Sequence, residues 1–151
     1  MRQAIHRLKY DNLKAIAGLL AQLLAEHLWL HPLLSQALVP VPLHHRRLRQ
    51  RGYNQSALIA RELGRIIDQP VVEEGLRRLR DTPPQARAQS AADRQRNVEG
   101  AFVCPHRGLA GKNLLLIDDV STTGATLEAC ALALRQGGVA QVWGLTVARE
   151  R

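Results

Sequence analysis

A chain of 151 residues is long enough for one ordinary hydrophobic core and too short for two, and 46% hydrophobic residues exclude disorder throughout. Its 21 Lys and Arg against 13 Asp and Glu give a net charge of +8, which favours phosphate-bearing partners without saying which. Two cysteines, Cys104 and Cys130, with no CxxC pair and no histidine at zinc spacing, indicate neither a disulfide framework nor a structural metal site.

The first element in chain order is a helix. Leu13, Ile16, Ala17, Leu20, Leu23, Leu24 and Leu28 recur at helical spacing after Asp11 and Asn12, which can cap it. The leucine-rich stretch Leu19 to Leu34 is interrupted by Gln22, Glu26, His27, His31 and Pro32, too polar for a membrane span and too poorly shaped for a secretion signal. A cytoplasmic protein without membrane insertion is expected. Ala37 to Leu43 (ALVPVPL) reads as a short strand that its prolines confine to a sheet end or a turn.

Next comes charge. His44, His45, Arg46, Arg47, Arg49 and Arg51 form a basic loop before Gly52, Tyr53 and Asn54 punctuate the chain. Such a run is often a solvated face, but a loop after a strand of an α/β sheet lies on the ligand rim, and arginine forks suit phosphate. A second helix follows with Leu58, Ile59, Leu63, Ile66 and Ile67. Arg77 to Asn97 contains Pro83-Pro84 and a polar run, and is expected to be a loop.

Leu114, Leu115, Leu116 and Ile117 form an uninterrupted apolar run, as expected of a strand buried on both faces of a parallel sheet. Asp118 and Asp119 fall where that strand ends, and two carboxylates there can accept hydrogen bonds from a vicinal diol such as that of ribose. Ser121, Thr122, Thr123, Gly124, Ala125 and Thr126 then open a helix running through Leu127, Ala131, Leu132 and Leu134. Helix N–H groups, hydroxyls and a glycine that permits close approach suit a phosphate. Without the loop, an acid pair would more often be a solvated strand end.

The run Leu114 to Thr126, LLLIDDVSTTGAT, resembles the phosphoribosyl pyrophosphate (PRPP) signature of the type I phosphoribosyltransferases. The resemblance implies an α/β fold with a central, mostly parallel sheet flanked by helices, over a single domain 1–151 in which residues 1–36 pack as a helical segment. It casts Asp118 and Asp119 as catalytic residues that orient the ribose diol, and Ser121 through Thr126 as the 5-phosphate clamp. Mg2+ is implied, held through substrate oxygens and water near the acid pair rather than by direct protein ligands. Pro42, His44, His45 and the four arginines Arg46, Arg47, Arg49 and Arg51 become the pyrophosphate loop. Arg87, Arg94 and Arg96 become cations of a loop that covers the reacting centre. Thr122 stands where members acting on 6-oxopurines tend to carry an aspartate, so orotate-like or non-standard members are closer.

A second resemblance narrows the first. VPVPLHHRRLRQRGYNQ (Val39 to Gln55), with IHRLKY at Ile5 to Tyr10, RDTPPQAR at Arg80 to Arg87 and RQRNVEGAF at Arg94 to Phe102, is similar to the ComF competence family. Many members of that family begin with a cysteine-rich zinc module, which is missing here. The resemblance implies a role in DNA uptake or in the use of DNA-derived nucleotides, with PRPP or a nucleotide as ligand. A phosphoribosyltransferase of unknown acceptor, a non-catalytic single-stranded-DNA-binding factor and a PRPP-sensing regulator all stay open. So do competence-machinery proteins and a second copy of the chain as partners. With only 3% aromatic residues the stacking platform of a single-strand binder is poorly supplied, Tyr53 beside Arg51 being the one candidate pair.

Overall fold

The computed structural model describes residues 2–81 and 100–149, with side chains from residue 12 onward. Arg87, Arg94 and Arg96 lie outside the described residues. The chain opens with α1 (Arg2–Leu30), longer than the cap at Asp11 and Asn12 implies. No proline occurs before Pro32, and a single Asp or Asn inside a helix costs too little to end one that tertiary packing supports.

Then follow β1 (Ala37–Pro40), α2 (His45–Arg51) and α3 (Gln55–Ile66). A short antiparallel pair comes next, β2 (Arg77–Arg78) with β3 (Phe102–Val103), before β4 (Asn113–Ser121), α4 (Ala125–Gln136) and β5 (Gln141–Arg149). The main sheet has the order β1-β4-β5 and is parallel throughout. Ala37 registers with Leu114 and Pro40 with Ile117, while Leu116 sits opposite Gly144 and Asp118 opposite Thr146.

Beyond Pro40 the expected strand becomes a connector. Proline cannot donate to a ladder, and the last bond on this side is Val41 N–H to the Ile117 carbonyl, 2.9 Å. Among the described residues the far side of β1 carries an isolated bridge between Leu38 and Val71.

The apolar run of β4 divides between two cores, as a doubly covered strand should. Leu115 and Ile117 point to the side covered by α1 and α3, among Ala21, Ala25, Ile59 and Leu63. Leu114 and Leu116 point to the side covered by α4 and the β2–β3 pair, among Cys130, Leu134, Phe102 and Leu109. Small residues at Ala17, Ala21, Ala25, Ala57 and Ala60 are buried where α1 and α3 pack.

The segment Asn12–Leu30 is long and apolar enough, by length and composition, to cross a membrane, which corrects the view that its polar interruptions forbid it. Its polar residues are too few to lower the mean, since most positions between them are leucine or alanine. In this fold its inward side packs on the α3 core, and Ile16, Leu19 and Leu23 remain exposed.

Candidate functional site

The site is assembled at the carboxyl end of the sheet. β1 stops at Pro40, one residue short of the level of Asp118, so the acid pair stands where its neighbour on that side has left the sheet. β4 itself runs on to Ser121 along β5, rather than ending at the acids as the sequence suggests. What ends at Asp118 is burial: Asp118 is 8% exposed, Asp119 is half-buried and Val120 is exposed.

The basic run is a helix, not a loop. The His44 side chain accepts the Arg46 N–H at 3.4 Å at its start, and Gly52 closes it in the left-handed region at φ 85°, with its N–H on the Leu48 carbonyl. Helical spacing then separates the arginines. Arg47 and Arg51, four apart, line a cavity of about 170 Å³ with Asp118 and Asp119, whereas Arg46 and Arg49 are exposed and do not line it. Pro42 borders the cavity. His44 is buried beside it and His45 is exposed, their rings 4.1 Å apart.

Of three further lining residues, Arg78 and Ser56 carry no signal of their own in the sequence, and Asn54 reads there only as punctuation and as part of a motif. Arg78 enters from β2, its guanidinium 5.4 Å from the Phe102 ring centre. Asn54 caps α3, its Oδ1 accepting the Ser56 N–H at 3.1 Å while its Nδ2 donates to the Val41 carbonyl at 3.0 Å. Ser56 donates its hydroxyl to Asp118 Oδ1 at 2.9 Å across 62 residues of sequence. Apart from the local cap of Asn54 on Ser56, these pairings are non-local, and only the folded chain reveals them.

The predicted phosphate loop is divided. Thr126 lines the acid cavity, but Ser121, Thr123 and Gly124 open onto a second cavity of about 430 Å³, floored by Leu116, Leu127, Val142 and Gly144 between α4 and β5. Gly124 takes φ 84°, which admits glycine without strain, and precedes α4. Ala125 is buried at 2% exposure, its N–H directed at Thr123 Oγ1, so its side chain belongs to the core and not to a ligand. Thr122 is half-buried and lines neither cavity.

Electrostatically the acid cavity combines both signs of charge. Desolvation pushes the Asp118 carboxyl up to about 7, the neighbouring Asp119 adds to this, and the Ser56 hydrogen bond opposes it. Arg47, Arg51 and Arg78 line the same cavity, and Arg78 interacts electrostatically with Asp118. Burial pushes the Cys130 thiol well up, which makes it an inert core residue rather than a nucleophile. A cavity that brings carboxylates and guanidiniums together accepts a molecule that carries hydroxyls or a cation beside anionic groups. Its apolar lining, Val41, Pro42, Leu43 and Val120, offers no aromatic platform, and Tyr53 packs instead against the α1–α3 core.

Comparison with known proteins sharpens this. Over 93% of its length the chain is 39% identical to competence protein F of Haemophilus influenzae and covers 65% of it. The chain is a homologue of the ComF competence proteins. The DNA utilization protein YhgH of Escherichia coli K12 is 38% identical over the same share of the chain, with 64% of that relative covered. Competence protein ComFC of Bacillus subtilis is 33% identical over 75% of the chain and 44% of its own length. The chain thus spans less than two thirds of the length of these ComF relatives. No family model matches it.

Among solved structures, the glutamine PRPP amidotransferase of B. subtilis, complexed with ADP and GMP, superposes with a TM-score of 0.60 at 20% identity, over 89% of this chain and 26% of that one. The protein TT1426 from Thermus thermophilus gives 0.52 at 17%, over 89% and 84%. The ComF homologue therefore has the type I phosphoribosyltransferase fold.

Proposed function

We propose that the acid cavity binds a phosphorylated ribose, PRPP or a nucleoside 5-phosphate, and that the protein uses it in handling DNA-derived nucleotides. The observation that carries this is the acid pair at the carboxyl end of the sheet, sharing one cavity with three arginines and beside a hydroxyl-rich loop that opens a helix. The names of the relatives, competence and DNA utilization, supply the biological setting.

In this reading Asp118 and Asp119 accept hydrogen bonds from the ribose diol, and Arg47, Arg51 and Arg78 hold the pyrophosphate. Thr126 and the backbone at the start of α4 hold the 5-phosphate, with Ser121, Thr123 and Gly124 on its outer side. The acid pair suits a magnesium ion held chiefly by ligand oxygens and water, whose waters Asp118 and Asp119 would accept. When bound, magnesium neutralises pyrophosphate charge. The chemistry assigned to the site is displacement of pyrophosphate from the anomeric carbon. Here the chain contributes positioning and fixed positive charge on the leaving group.

The test is calorimetric titration of PRPP with magnesium. Wild type is expected to bind, and the double variant Asp118→Asn with Asp119→Asn to lose binding while keeping its fold. An unchanged affinity in the double variant would sink the assignment.

The outward face of α2 supports a second activity. Arg46 and Arg49 point away from the cavity, as a phosphate-backbone contact would require. Arg46→Ala with Arg49→Ala is expected to lower the affinity for a single-stranded oligonucleotide and flatten its salt slope by about 1 to 2, leaving PRPP binding intact. Arg47→Ala with Arg51→Ala is expected to do the reverse. Equal effects of the two pairs on both ligands would show that the helix does not divide the work.

A further inference from the structure

Four hydrogen bonds close a circuit around the acid pair. The Val41 N–H donates to the Ile117 carbonyl, Asn54 Nδ2 donates to the Val41 carbonyl, the Ser56 N–H donates to Asn54 Oδ1, and the Ser56 hydroxyl donates to Asp118 Oδ1. Asp118 follows Ile117 in the chain, so the circuit returns to its start. It ties the end of β4, the connector after β1 and the first turn of α3 to one carboxyl group.

That carboxyl group is held on one side. Oδ1 takes both the Ser56 hydroxyl at 2.9 Å and the Asp119 N–H at 3.0 Å, while among the described residues no N–H or hydroxyl donates to Oδ2 and the Asp119 carboxyl is close enough to share a proton with the group. Ser56 is 4% exposed and Asp118 8%, so water does not substitute freely for the hydroxyl. Without that donor only the Asp119 N–H would hold Oδ1, and the carboxyl group would turn more readily about its Cβ–Cγ bond.

We propose that Ser56 is a positioning residue for sugar recognition, fixing Asp118 through Oδ1 so that Oδ2 is the oxygen offered to a ligand hydroxyl. This rests on the assignment of the cavity to a phosphorylated ribose. Ser56 borders the cavity with its hydroxyl committed to Asp118 Oδ1, so its influence on the ligand is exerted through that carboxyl group. Binding of a simple anion at Arg47, Arg51 and Arg78 does not depend on it.

The hydroxyl also acts on charge. Its donation favours the ionised carboxylate, which accepts from a sugar hydroxyl. The groups that face Asp118 are Asp119 on its own strand, Arg78 from β2 and Cys130 from α4, with Arg47 and Arg51 of α2 lining the same cavity. None of these changes in a Ser56 variant. Loss of the hydroxyl moves the acid limb of sugar binding to higher pH.

The experiment is equilibrium titration of ribose 5-phosphate and, separately, inorganic pyrophosphate into wild type, Ser56→Ala and Ser56→Thr, with a pH series through neutrality for the sugar. Ser56→Ala is expected to weaken ribose 5-phosphate about tenfold, to leave pyrophosphate unchanged and to shift the acid limb upward, and Ser56→Thr to restore all three. The proposal is overturned if Ser56→Ala binds ribose 5-phosphate like wild type, or if it loses both ligands equally. Failure of wild type itself to bind ribose 5-phosphate would overturn the sugar-phosphate assignment, and this proposal with it.

Discussion

Asp118→Asn is expected to make the protein more stable at pH 8 than the wild type, by on the order of 2 kcal/mol, while removing sugar binding. The carboxyl titrates at 3.8 in an unfolded chain and at about 7 in the folded one, chiefly because it is desolvated. Between those values the native state binds more protons than the unfolded state. Stability conferred by this group therefore falls as pH rises from about 4 to 7, and above 7 the full cost of a buried charge is present. Each unit of difference is worth about 1.4 kcal/mol, and relaxation of the charged state reduces the total. Asparagine still offers an oxygen to Ser56 and to the Asp119 N–H, so the circuit survives without the charge. Urea unfolding of both proteins from pH 5 to 9 reads this directly: the gap should widen through neutrality, and parallel curves would contradict it. A site that destabilises its own fold to keep a carboxylate ready for ligand is a common form of the compromise between stability and function.

The parts of this site legible in the sequence are those built from contiguous residues. The four apolar residues of β4 announce a doubly buried strand, and the acids and loop that follow it are placed by chain connectivity alone. The basic run misleads because a seven-residue helix with Leu48 as its only apolar residue shows no periodicity. Its signals are the flanks, a capping side chain at His44 and a left-handed glycine at Gly52, and neither is decisive before the structure is known. Ser56 and Arg78 are invisible for a different reason. A lone serine after NQ and an arginine in an RR pair become site residues only through partners brought from far along the chain. The start of α1 is set by packing and continuity rather than by the most attractive cap.

Gly64→Ala is expected to destabilise the protein by about 2 kcal/mol, although helix propensity alone favours alanine at an interior helical position by about 1 kcal/mol. Gly64 lies in α3, where an added Cβ would fall 2.6 Å from Val71 Cγ2 and 2.8 Å from the Gln69 carbonyl oxygen. The second contact is backbone, in the turn that brings Val71 to its bridge with Leu38 and is itself closed by the Gln69 N–H on the Gly64 carbonyl. Relief requires α3 to rise off the sheet or the turn to move. Either displaces the helix whose first turn braces Asp118. Chemical denaturation of the variant should show the loss, and a gain in stability would mean that the turn yields at no cost.

Arg47 already has a carboxylate partner, since its Nε lies 3.1 Å from Asp81 Oδ1, with His44 Nδ1 at 3.9 Å from the same oxygen. An anion entering the cavity therefore replaces a resident counter-ion instead of water. The exchange trades one ion pair for another, and dissolved salt weakens both sides of it together. Uptake of phosphate at this arginine would accordingly be less salt-sensitive than a bare guanidinium would make it, and each such event would free the Asp81 carboxylate from its partner.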